Sequence, residues 1–147
     1  MNAPDSTIHF NFQHPVTLTD RKRLKSFIAA RLKTGGKAGA LLNFIFCTDD
    51  QLLAINQQYL NHDYFTDIIT FDLSEKSSDL LISDIYISVD RVKENARLHH
   101  VRLHTELHRV IFHGILHLLG FKDKTPRDQQ KMRAAEDEWL DSYYRLS

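Results

Sequence analysis

The stretch that most limits how this chain can fold runs from Leu103 to Gly120, where apolar residues fall on most sides of a helix and two histidines share one of them. Leu103, Leu107, Val110, Ile111 and Leu118 leave little room for a solvent-facing side, as in a helix enclosed by other elements. His113 and His117 stand four residues apart. On a helix that spacing puts them on one face, one turn above the other, so both imidazoles can reach a single point. Gly120 follows three residues on, where a helix can end on a left-handed residue that glycine adopts without steric cost. Beyond the turn stands Asp123, whose carboxylate can supply a third ligand and leave a fourth position open, as in catalytic zinc sites. A buried histidine pair without metal accounts for His113 and His117 taken alone. With Gly120 and Asp123 in place, the expectation is one zinc ion per chain held by His113, His117 and Asp123, with His113 at the centre of catalysis.

The spacing H-x-x-x-H-x-x-G-x-x-D resembles the extended pattern of zinc peptidases, but Gly114 stands where those enzymes carry their general-base glutamate. The string HGILHLLGF instead resembles the YbeY family of single-domain metal-dependent endoribonucleases, whose signature reads H-G-x-L-H-L-x-G-[YF]-D-H. Leu60-Asn61, Thr66-Asp67 through Phe71, and Ser83-Asp84-Ile85 resemble that family's LN, TDVLSF and GDI segments, so the likeness covers nearly the whole chain. Two departures stand out. Asp123 occupies the position of the family's third histidine ligand, and Lys122 that of the aspartate before it. Aspartate binds zinc through oxygen, but a more anionic ligand set makes water at the ion less acidic. Between Asn61 and Thr66 the family has a longer loop with a substrate-facing arginine; here it reads His62-Asp63-Tyr64-Phe65, with His62 as the candidate substitute.

The resemblance implies a zinc-dependent endoribonuclease specific for single-stranded RNA. It would act in ribosomal RNA maturation, notably at the small-subunit RNA 3′ end, and in ribosome quality control, with RNA and ribosomal proteins as partners in the cytoplasm. A zinc-dependent peptide or amide hydrolase is one alternative, and a non-catalytic RNA- or ribosome-binding protein with a structural metal is another.

Length and charge set further bounds. A chain of 147 residues suits a single domain that buries roughly two-thirds of its unfolded surface. Its 19 basic and 19 acidic side chains cancel, which argues against coating nucleic acid by bulk electrostatics, so any RNA contact is local. The opening residues show neither a basic nor an apolar leader region, and no run of about 18 apolar residues occurs, so no membrane association is expected. A lone Cys47 in an apolar run reads as a small buried hydrophobe in a reducing compartment.

Thr7 to Phe12 alternates like a half-buried strand, with His9 on its polar phase. Thr19 is placed to cap a helix through Leu24, Phe27, Ile28 and Leu32, stopped by Gly35-Gly36; its basic residues Arg21, Lys22, Arg23, Lys25, Arg31 and Lys33 read as a solvated face. Ala40 to Cys47 suits a central strand. Thr48 and Gln51 form a capping box for a helix ending near Asn61. Thr66 to Leu73 and Leu80 to Val89 read as neighbouring strands, with Asp67 and Asp84 either at strand ends near a site or facing solvent. Ser88 caps a short helix through Val92 and Ala96. His99, His100, His104 and His108 read as solvent-facing, since His108 lies roughly 140° around the helix from His113. Thr125-Pro126 opens a last helix with Met132, Ala135, Trp139 and Tyr143 on its core side, and Lys122, Lys124 and Arg127 are either a phosphodiester-binding cluster or chance surface charge. The fold class is therefore α/β: a single domain with a small four-stranded mixed sheet packed by helices, in the order βαβαββααα, with the histidine-bearing helix central.

Overall fold

The computed structural model describes residues 6–145; the first five, read as part of a start without a leader, lie outside it. The elements are β1 (Thr7–Phe12), α1 (Arg21–Thr34), β2 (Gly39–Cys47), α2 (Asp49–Leu60), β3 (Ile68–Asp72), β4 (Leu80–Ser88), α3 (Val89–Leu98), α4 (Leu103–Leu118) and α5 (Pro126–Arg145). This is the expected α/β order. The strands form one sheet, β1-β2-β4-β3. β1, β2 and β4 run parallel, and β3 pairs antiparallel with β4. By compactness the chain divides after Arg91 into two units.

In the first unit the apolar run of β2 lies between two strands, as a nearly continuous hydrophobic strand should. α1 packs along it and buries Leu24, Phe27, Ile28 and Leu32, each worth about 1.5–3 kcal/mol when removed from water. Cys47, Leu52 and Ile69 form a second cluster with Ile55, Phe71 and Tyr86 around it. The capping box forms: Gln51 N–H donates to Thr48 Oγ1 at 3.1 Å, and Thr48 N–H donates to Gln51 Oε1 at 2.9 Å. Asn61 ends α2 with φ 55°. On α2 Tyr59 is exposed and Asn56 is buried, its amide donating to the Tyr64 carbonyl at 2.8 Å.

Two expectations are corrected. Thr19 does not cap α1; Asp20 sits at the N-cap with φ 56° and no side-chain cap, because its carboxylate instead accepts from Arg23 Nε at 2.9 Å. His108 does not face solvent; it is 4 % exposed, with Nδ1 2.8 Å from the Tyr144 hydroxyl. His108 lies on another face of α4 from His113, as its spacing implies, but α5 covers that face with Tyr143 and Tyr144.

In the second unit α4 is the buried element, with Leu107, Val110, Ile111, Phe112, Ile115 and Leu116 all enclosed. α5 packs along it. Phe112 meets Trp139 edge-on at 5.5 Å and Tyr143 at 5.9 Å, geometry that favours aromatic pairs beyond area burial alone. Ser88 caps α3 as expected, its Oγ accepting from Arg91 N–H at 3.1 Å.

Candidate active site

All three expected ligands lie on α4 and the turn that follows it, inside the second unit. Helical spacing stacks His113 and His117 with 3° between their ring planes and 6.5 Å between centroids. α4 then ends in the motif its glycine implied. Phe121 N–H donates to the Leu116 carbonyl and Gly120 N–H to the His117 carbonyl, both at 3.1 Å, and Gly120 takes φ +107°, which an L side chain rarely adopts. The reversal brings the Phe121 carbonyl within 3.1 Å of His117 Nδ1 and Asp123 Oδ2 within 3.3 Å of His113 Nε2. α5 steadies the return: Gln129 Nε2 donates to the Asp123 carbonyl at 3.1 Å, and Thr125 Oγ1 accepts from Asp128 N–H at 3.1 Å.

One residue the sequence reading passed over completes the site. Glu136 on α5 is 5 % exposed. Its Oε2 lies 2.7 Å from His113 Nδ1, and its Oε1 accepts from Arg109 Nη1 at 3.0 Å. Arg109 places its other arm, Nη2, 2.7 Å from Asp137 Oδ1. Burial works against the charge of Arg109, but the hydrogen bonds to Asp137 and Glu136 more than offset it and raise its pKa. A signal for Glu136 was present. It stands four residues after Met132 and three before Trp139, on the stripe α5 buries, where a carboxylate is costly unless paired.

The donor chemistry suits zinc, and the placement suits it in part. A carbonyl can only accept, so His117 donates from Nδ1 in that contact and its Nε2 is the nitrogen left for a metal. The 3.3 Å between His113 Nε2 and Asp123 Oδ2 is long for a charge-assisted hydrogen bond. It matches the roughly 3.3 Å edge between two ligands each about 2.0–2.1 Å from a tetrahedral zinc. Among the described residues, however, no three His, Cys, Asp or Glu side chains stand close enough together to hold an ion as placed. Two imidazoles sharing a tetrahedral zinc through Nε2 have centroids about 5 Å apart, and these lie at 6.5 Å. The His117 ring is exposed, with its Nδ1 on the Phe121 carbonyl.

The other singled-out residues fall as follows. Lys122, Lys124 and Arg127 are exposed on and just after the turn that carries Asp123. Asp67 and Asp84 are partly buried in the first unit. His62, also in the first unit, stacks on Tyr64 at 5.1 Å and shares a 2.9 Å hydrogen bond with its hydroxyl. Among the described residues no helix is long and apolar enough to cross a membrane.

Known proteins resemble this chain over most of its length. A 42 % identical Endoribonuclease YbeY of Flavobacterium psychrophilum aligns over 93 % of this chain and 96 % of its own length. The Endoribonuclease YbeY of Cytophaga hutchinsonii is 56 % identical over 65 % of this chain and 66 % of its own. The solution structure of TM1509 from Thermotoga maritima shares the fold at TM-score 0.62 and 24 % identity, covering 94 % of this chain and 89 % of that one. The family model described as Endoribonuclease YbeY matches residues 10–144, and the chain belongs to the YbeY endoribonuclease family.

Proposed function

We propose that the protein is a zinc-dependent endoribonuclease that cuts single-stranded RNA, with one ion per chain held by His113, His117 and Asp123. The observation that carries this reading is the pairing at the two imidazoles. Each Nδ1 faces an acceptor, Glu136 in one case and the Phe121 carbonyl in the other, while Asp123 stands at ligand-edge distance from His113 Nε2. An acceptor on Nδ1 is what orients a histidine ligand and fixes its tautomer.

The chemistry zinc supplies when bound is polarisation of a phosphoryl oxygen or activation of water. The rest belongs to the chain. His113, His117 and Asp123 present three donors and leave the remaining position to water or substrate. Lys122, Lys124 and Arg127, all exposed around Asp123, would hold a phosphodiester beside them and disfavour a neutral peptide. Gly114 is enclosed in α4 and offers no general base, which argues against the peptide or amide hydrolase. Its place would be ribosomal RNA maturation, at the small-subunit RNA 3′ end, and ribosome quality control in the cytoplasm, with ribosomal proteins as partners.

The test is metal content by elemental mass spectrometry on untagged protein, followed by cleavage of a fluorescent single-stranded RNA. We expect about one zinc per chain, cleavage lost on chelation and restored by zinc, and both lost in His113→Ala. Full cleavage by metal-free protein would refute the mechanism. Tight zinc and RNA binding without cleavage would favour the non-catalytic reading.

A further inference from the structure

We infer that Glu136, clamped by Arg109, is a positioning residue that fixes His113 in the tautomer protonated at Nδ1 and so turns its Nε2 lone pair toward Asp123. The consequence for zinc rests on the proposed ligand role of His113, whereas the tautomer does not. At 2.7 Å the Nδ1 to Oε2 contact has the length of a charge-assisted hydrogen bond. Arg109 donates to the other oxygen of Glu136, so the side chain is placed as an acceptor and the shared proton belongs to the imidazole. Glu136 is enclosed, yet both its oxygens are used, one by His113 and one by Arg109. Arg109 places its second arm on Asp137 at 2.7 Å, and a planar two-armed donor holds orientation as well as charge. The same task at His117 falls to a backbone carbonyl. A side chain serves at His113 because that ring lies midway along α4, where the helix's own carbonyls are engaged.

A plain ion pair tying α5 to α4 would show the same contacts, so the test must read the tautomer itself. In Glu136→Gln, Arg109 still demands an acceptor and holds the amide oxygen, which leaves the amide NH2 facing His113 Nδ1. Donor then meets donor unless the imidazole moves its proton to Nε2. The measurement is ring 15N shifts and long-range 1H–15N correlations on metal-free full-length protein, with His113 assigned by His113→Ala. The parent should show His113 protonated at Nδ1 and the variant at Nε2, with the His117 ring unchanged. Zinc affinity, by competition with a chromophoric chelator, should fall about tenfold to a hundredfold in the variant. If Glu136→Gln does not fold, Glu136→Met fills similar space without a charge and should likewise release the Nδ1 preference.

A parent His113 already protonated at Nε2, or variants that keep the Nδ1 form, would overturn the inference. Zinc binding that is lost in His113→Ala but unchanged in Glu136→Gln would also overturn it while leaving the ligand assignment intact. A parent that binds no zinc would remove the ligand role of His113, and the tautomer comparison would still decide what Glu136 does.

Discussion

Replacing Asp123 asks most directly whether this chain has kept a metal site with an altered ligand. Its Oδ2 lies 3.3 Å from His113 Nε2, so removing the carboxylate should take away one protein donor while α4 and the turn stay in place. Structural zinc sites with four ligands bind with about 10–16 kcal/mol, so one ligand carries on the order of 3–4 kcal/mol. Asp123→Ala should therefore weaken zinc by roughly two to three powers of ten. Asp123→His, with a longer side chain and a neutral donor, should stay within about tenfold of the parent. Unfolding stability of the metal-free protein should barely change in either variant, because Asp123 is 41 % exposed and water screens its interactions. The assay is zinc titration against a chelator, paired with urea unfolding in chelator. Equal zinc affinity in Asp123→Ala and the parent would remove Asp123 from the site, and a large loss of metal-free stability would show a structural role instead.

Cys47 gives a pH prediction. Burial, with Asp90 and Asp49 adding, pushes its thiol up to about 11 from 9.0, so the folded state holds the proton longer than the unfolded chain; this stabilisation is complete below pH 9 and fades as pH rises toward 11. Urea unfolding of the parent against Cys47→Ala should show the parent's advantage shrinking by about 2 kcal/mol between pH 8 and pH 10.5, and a constant difference would refute it. Gly120→Ala meets no atom within 4 Å of the added Cβ, so only the backbone strain at φ +107° acts; denaturant unfolding should show a loss of about 1–2 kcal/mol, and zinc affinity should fall as the Phe121 carbonyl shifts. Thr48→Ala removes the capping-box acceptor and should cost about 1 kcal/mol by the same measurement, with no change in zinc affinity.

What could be read from the sequence was whatever a local pattern fixes. The period-2 alternation of β1, the apolar run of β2 and the Thr48 to Gln51 box each decide their own geometry, and each appears where expected. Asp20 stands at the start of α1 in place of Thr19, with its carboxylate on Arg23, a contact that spacing alone leaves open. His108 was misread for a related reason. Its angle around α4 was right, but burial depends on what covers that angle, and the cover comes from Tyr143 and Tyr144, 35 and 36 residues later in the chain. The site divides along the same line. His113, His117, Gly120 and Asp123 lie within one helix and its exit turn, so one stretch of sequence names them all. Glu136 and Arg109 reach the site only through the packing of α5 on α4. A carboxylate on a buried stripe must find a partner or lose its charge, which makes the apolar rhythm of Met132, Trp139 and Tyr143 the place to look for it. A motif in this chain thus names the proposed donors, while the residues that pack against them are found where a charged side chain breaks an otherwise apolar pattern.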